Sequence, residues 1–154
     1  MKGKVVELST GLAKGHGVDP TLKTDVAAND STKDFTVPAG KIWHILHAFV
    51  TLVTTATVGN RLVTLSVYKA DGTTCVARFR SVAQAASLTK EYMYAPGLNT
   101  AEFATIQNAL PDDMPIPAGY IVRIADDSAV DAAADDLSIQ MFVDESDVTS
   151  KRAS

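Results

Sequence analysis

The chain has little with which to build a reactive centre. It carries one cysteine, Cys75, in 154 residues. A lone thiol closes no internal disulfide, cannot form a cysteine-rich zinc site, and fits a reducing compartment. A surplus of positive charge is also missing. Lysine and arginine number 14 against 18 aspartates and glutamates, a net charge of −4. Coating nucleic acid requires Lys and Arg to neutralise phosphates, so no nucleic-acid partner is expected. No stretch of ~18 apolar residues is present, so no membrane-spanning helix and no membrane partner are expected. The opening Met1-Lys2-Gly3-Lys4-Val5-Val6-Glu7 has charge with no apolar region behind it and does not read as a secretory leader. Neither glycine-rich phosphate loop, Gly-x-Gly-x-x-Gly or Gly-x-x-x-x-Gly-Lys, occurs, nor does Gly-x-Ser-x-Gly. No Ser, His and Asp grouping can be assigned. The sequence therefore offers no catalytic, cofactor-binding or metal-ligating set, and the chain reads as a non-enzyme without a cofactor.

What is present suits a folded domain. Apolar residues make up 46% and charged residues 21%, enough for one core without staples. Three segments are expected. Residues 1–34 read as an extended arm, in which five lysines and five acids are interspersed with Gly3, Gly11, Gly15, Gly17 and Pro20. Only Val5–Leu8 in this arm reads as a short strand. Residues 35–145 read as a β-sandwich domain, and residues 146–154 as a polar, flexible tail.

Period-two alternation dominates the middle segment. Val63, Leu65 and Val67 share one face of Arg61–Lys69, with Thr64 and Ser66 on the other. Cys75, Ala77 and Phe79 point inward along Cys75–Val82, with Arg78 and Arg80 outward. Leu137, Ile139, Met141 and Val143 alternate with Ser138, Gln140 and Phe142. Lys41–Thr57 reads as one long or bent strand buried on both faces for part of its length. Thr89–Tyr94, Glu102–Gln107 and Tyr120–Ala125 are further strands. Gly59-Asn60, Asp71-Gly72, Pro96-Gly97 and Pro111-Asp112 supply turns, Asp-Gly being a strong hairpin signal. The one helical expectation is about two turns over Ser128–Asp136, capped by Ser128. Short strands at this spacing predict an all-β fold, a sandwich or barrel. Val37-Pro38-Ala39-Gly40-Lys41-Ile42 also echoes Ile116-Pro117-Ala118-Gly119-Tyr120-Ile121. Proline fixes φ and glycine supplies φ > 0 just before a strand, so the echo predicts two equivalent corners of one sandwich.

Residues with chemical potential have plainer roles. His44 and His47 lie three apart on a strand, on opposite faces, so one metal cannot take both; His16 lies in the arm. Asp126, Asp127, Asp131, Asp135 and Asp136 could offer oxygens to calcium, but the glycine and final glutamate of the twelve-residue loop are missing, and a solvated acidic loop is expected. Cys75 is expected to be a small buried hydrophobe. Arg78 and Arg80, with Arg61 near them, would solubilise an edge strand or meet the acids of a partner subunit. Trp43, Phe49, Phe79, Tyr92, Tyr94 and Phe103 are expected in the core or at its margin, with stacking of sugars or bases as the alternative.

Taken together, Phe35-Thr36-Val37-Pro38-Ala39-Gly40-Lys41-Ile42-Trp43-His44-Ile45, Val53–Arg61, Leu110-Pro111, Ile116–Tyr120 and Ala134-Asp135-Asp136-Leu137-Ser138-Ile139 resemble segments of tailed-bacteriophage virion proteins. The resemblance spans Phe35–Glu145 and is to jelly-roll capsid decoration, or cement, proteins. It implies a jelly-roll-like antiparallel β-sandwich with an extended N-terminal arm. It also implies a homotrimer on the outside of the mature phage head, made in the bacterial cytoplasm. There the trimer would bind the major capsid protein and hold the shell against the pressure of packaged DNA, with no turnover and no cofactor. The alternatives are a tail, connector or fibre component, and a host-carbohydrate-binding sandwich that would use Tyr92 and Tyr94 or the Asp126–Asp136 loop.

Overall fold

A computed structural model describes residues 20–28, 31–99, 101–102, 104–128 and 130–148. Ten strands follow in chain order: β1 (Pro20–Asp25), β2 (Thr32–Thr36), β3 (Lys41–Val53), β4 (Arg61–Tyr68), β5 (Cys75–Gln84), β6 (Thr89–Pro96), β7 (Ala101–Glu102), β8 (Thr105–Leu110), β9 (Ile121–Asp126) and β10 (Asp136–Asp147). They form two sheets packed as a sandwich. Sheet A has the order β1-β10-β3-β6-β8-β7 and sheet B the order β2-β9-β4-β5. The all-β sandwich expectation therefore holds. One pair departs from antiparallel order: β8 lies parallel to β6, and β7 runs back outside it.

Setting aside the β7–β8 extension, the pairing is nested. β4 pairs with β5, β3 with β6, β2 with β9 and β1 with β10. The eight strands thus pair as one long hairpin would, first with last, and are then rolled so that successive pairs alternate between sheets. No local pattern encodes this order.

The core lies between the sheets. Sheet A contributes Trp43, Ile45, Ala48, Val50, Leu52, Tyr92, Tyr94, Leu137, Ile139, Met141 and Val143; sheet B contributes Val63, Leu65, Val67, Val122 and Ile124. These are the inward residues of the period-two pattern, and each large aliphatic one contributes ~1.5–3 kcal/mol by burial. Thr64 and Ser66, read as the open face of β4, are buried too. In register, Ser66 lies between Arg78 and Arg123, whose long side chains cover the central strand.

The two echoed corners lie side by side. Each is a tight turn, Lys41 N–H bonding Pro38 O and Tyr120 N–H bonding Pro117 O. Gly40 (φ 76°) and Gly119 (φ 79°) hold the left-handed position that favours glycine. The corners also bond each other: Val37 exchanges bonds with Gly119 and Tyr120, and Trp43 with Ile116.

Three expectations about local structure are corrected. First, residues 20–28 and 31–34 of the arm drawn at residues 1–34 belong to the sandwich. Pro20–Asp25 is an edge strand on β10 and Thr32–Thr36 is an edge strand on β9. Their alternation is faint because edge strands in a polar stretch bury only one side, and Lys23 and Lys33 occupy inward positions. The domain begins before Phe35; Val5–Leu8 lies outside the described residues. Second, Ser146 and Asp147, drawn in the tail at 146–154, still pair with Ile42 and Lys41, and residues 149–154 lie outside the described residues. Third, Ser128–Asp136 contains turns rather than two helical turns. A single helical turn closes from Asp135 N–H to Asp131 O, and Asp131 itself sits at φ 81°. The acids there are claimed by the ion-pair network described next.

Candidate interaction surfaces

Among the described residues there is no ligand-sized pocket and no group of three His, Cys, Asp or Glu side chains able to hold a metal ion. The chemistry-bearing residues fall into an end clamp and the two outer faces of the sandwich.

The clamp explains the acidic loop. Arg61 is fully buried at the start of β4 and forks onto Asp135, Nε to Oδ2 at 2.6 Å and Nη2 to Oδ1 at 3.1 Å. Its Nη1 donates to Thr57 O and Gly59 O, and Nη2 donates also to Thr55 Oγ1. All five guanidinium N–H groups are thereby used. Thr55 N–H reaches Asp135 Oδ1, while the Thr55 and Thr57 hydroxyls donate to Asp131. Burial acts to raise the Asp135 pKa, yet the Arg61 bond and the Thr55 N–H outweigh it and leave the carboxyl below its ordinary range. The two Thr hydroxyls similarly hold Asp131 low. Asp126 accepts from Leu62 N–H and Ser128 N–H. Gly59 sits where a Cβ would come within 2.9 Å of Val130 Cγ1, so the loop tolerates no larger residue. Asp126, Asp131 and Asp135 are thus structural rather than solvated, and Arg61 stands apart from Arg78 and Arg80.

The outer face of sheet B is polar and self-satisfied. Direct register places Asp34, Arg123, Ser66 and Arg78 in one row across the sheet. Arg123 forks onto Asp34 through two bonds of 2.7 Å, and its guanidinium lies 4.7 Å from the Tyr68 ring centre. Arg78 donates to Tyr68 Oη at 3.0 Å. Asp127 lies 3.7 Å from Arg78 and 3.5 Å from Arg80. These arginines therefore meet acids of their own chain. The edge strand β5 is further protected by two register shifts against β4. Cys75 opens that edge strand, free and exposed, not buried as its alternation suggested; the register shift beside it turns the strand end away from the core.

The outer face of sheet A is different. Leu22, Phe142 and His47 are directly opposite one another across β1, β10 and β3. The next row is Thr24, Gln140, Phe49, Met93 and Gln107. Leu22 and Phe142 are 47% and 38% exposed, and Val53 further along is 43% exposed. Phe49 is thus half-buried on an outer face rather than in the core. His44 and His47 both project from this face, correcting the expectation of opposite faces. Phe142 pairs with His47 but Val143 pairs with Ile45, so Leu46 is the extra residue of a β-bulge. His44 Nε2 lies 3.3 Å from Asp113 Oδ1. Burial lowers the His47 pKa.

The aromatic platform proposed for sugar binding is absent at Tyr92 and Tyr94. Both are fully buried, Tyr92 Oη donating to Gln84 Oε1 and Tyr94 Oη to Val63 O. Trp43 is likewise inward, its Nε1 donating to Glu145 Oε2 at 2.6 Å beneath the Lys23 ammonium. Phe79 packs half-buried against the core, and Phe103 lies outside the described residues. The two-sided character of Lys41–Thr57 was the sequence signal for the sheet A face; the bulge that brings the histidines together left none.

No protein-family model matches the chain, and no curated protein or solved structure matches it.

Proposed function

We propose that the chain is a structural virion protein, a capsid decoration protein that binds the outside of the mature phage head as a trimer and braces contacts between major capsid protein subunits. The observation that carries this reading is the nested pairing of eight strands in two four-strand layers, which we read as a jelly roll. It agrees with the resemblance of Phe35–Glu145 to decoration proteins, which rests on turn and strand motifs. The physical role is also coherent. A sandwich whose end is held by a buried arginine clamp suits a load-bearing role. Three linked copies gain avidity over several shell subunits, so each needs only a modest contact.

The test is co-sedimentation of the purified chain with heads of the phage that encodes it. Binding to expanded, undecorated heads with little binding to unexpanded ones supports the reading. Equal binding to both, or to neither, contradicts it.

A further inference from the structure

We propose that the outer face of sheet A, centred on Leu22, Phe142, His47, Phe49 and Met93, is the docking face, and that it fits a protein surface with an apolar centre and a rim of lysine or arginine. Naming that surface as part of the capsid shell rests on the decoration reading; the face and its chemistry rest on the register and exposure of its side chains.

Three observations converge. Leu22 and Phe142 are neighbours in register and are 47% and 38% exposed, and Phe49 and Met93 continue the apolar surface in the adjoining row. Apolar side chains gathered on one flat sheet face mark an interaction site more often than scattered ones do. Charge then identifies the occupant. The outward positions of β1, β10, β3, β6 and β8 include Glu91, Asp136 and Asp144 but no lysine or arginine, and Asp113 adds a further acid beside His44. Two copies meeting through this face would bring carboxylates against carboxylates with no fixed cation between them, which disfavours a symmetric self-contact. A basic rim on the partner would neutralise them and steer the encounter. Finally, the opposite face has its arginines matched by Asp34 and Asp127, leaving it the better suited to face solvent.

The experiment compares full-length variants for binding to expanded heads at low and high salt, with thermal melting as a folding control. Leu22→Ser with Phe142→Ser removes the apolar centre. Gln140→Lys, at an exposed position in the middle of the face, adds a cation without disturbing packing. Arg80→Gln is the control on sheet B. Both face A variants are expected to weaken binding on the order of tenfold or more with unchanged melting. Arg80→Gln is expected to bind like wild type, and added salt to weaken wild-type binding. If wild type binds heads and the face A variants bind equally well, the docking face is overturned while the decoration reading stands. If wild type ignores heads, the decoration reading falls, and with it the partner named here. If light scattering shows a dimer that either face A variant dissociates, a second copy covers the face and the proposed occupant is wrong.

Discussion

The two outer faces of the sandwich are built from the same alternating strands, yet they treat charge and apolar surface in opposite ways. On sheet B every outward arginine of the central rows finds a carboxylate or a tyrosine within its own chain. On sheet A the outward side chains are apolar, neutral polar or acidic, and among the described residues its strands carry no outward lysine or arginine. A face that satisfies itself asks nothing of a partner. A face that sets leucine and phenylalanine among acids with no lysine or arginine in its outward rows gains by being covered. Inward positions were fixed by the need for a core; the outward ones distinguish the surface that works from the surface that only dissolves.

The comparison can be broken from beneath. Asp135→Ala would strand Arg61 as an unpaired buried charge, costing about 3–5 kcal/mol, and both faces should be lost together in a denaturant titration. A loss under ~1 kcal/mol would mean that the clamp does not hold the end of the sandwich. Burying the clamp in apolar form, Arg61→Met with Asp135→Leu, should recover part of the loss.

Acid should then act through specific groups. Glu145 is held below its ordinary range chiefly by the Lys23 hydrogen bond, with help from Trp43 Nε1. A lowered folded-state carboxyl pKa gives stability that is present above the unfolded value near 4.5 and is lost as pH falls further. Glu145→Gln should remove that part of the acid slope. His47 works in the same direction from a higher pH. Its pKa is lowered from 6.5 by burial, so the unfolded chain takes up its proton first and stability declines as pH drops below that value. His47→Gln should flatten the melting-temperature profile between pH 7 and 5; an unchanged profile would mean the ring is effectively solvated.

The smallest effects distinguish the two faces most sharply. Arg123→Gln removes a half-exposed pair on sheet B and should cost under ~1 kcal/mol, less at high salt. Phe142→Ser on sheet A should change stability by no more than about 0.5 kcal/mol, since its ring contributes little to the core. A large destabilisation there would show that Phe142 is part of the fold and not a surface reserved for a partner.

Much of this architecture was legible because period two is a local signal. Val63-Leu65-Val67 and Leu137-Ile139-Met141-Val143 point inward as written, Asp71-Gly72 makes the β4–β5 turn, and the Pro-Ala-Gly echo marks paired corners. Other features were hidden for physical reasons. Pro20–Asp25 and Thr32–Thr36 are edge strands in which lysines take inward places, so composition reads as an arm. Arg61 looks like a surface residue because its partner is 74 positions away. A bulge at Leu46 reverses the face of every residue beyond it, and two histidines that ought to be opposed become neighbours. Tyr92 and Tyr94 share a face as expected, but that face is the core. The candidate surface needed the register of four strands, which no stretch of sequence contains.

The most direct measurement is the ratio of this chain to the major capsid protein in purified virions, by quantitative mass spectrometry. The account predicts a fixed ratio approaching one copy per shell subunit, lost when the chain's gene is deleted and restored by adding the protein to expanded heads. A few copies per particle would point instead to a tail or connector component, and its absence from virions would contradict the account outright.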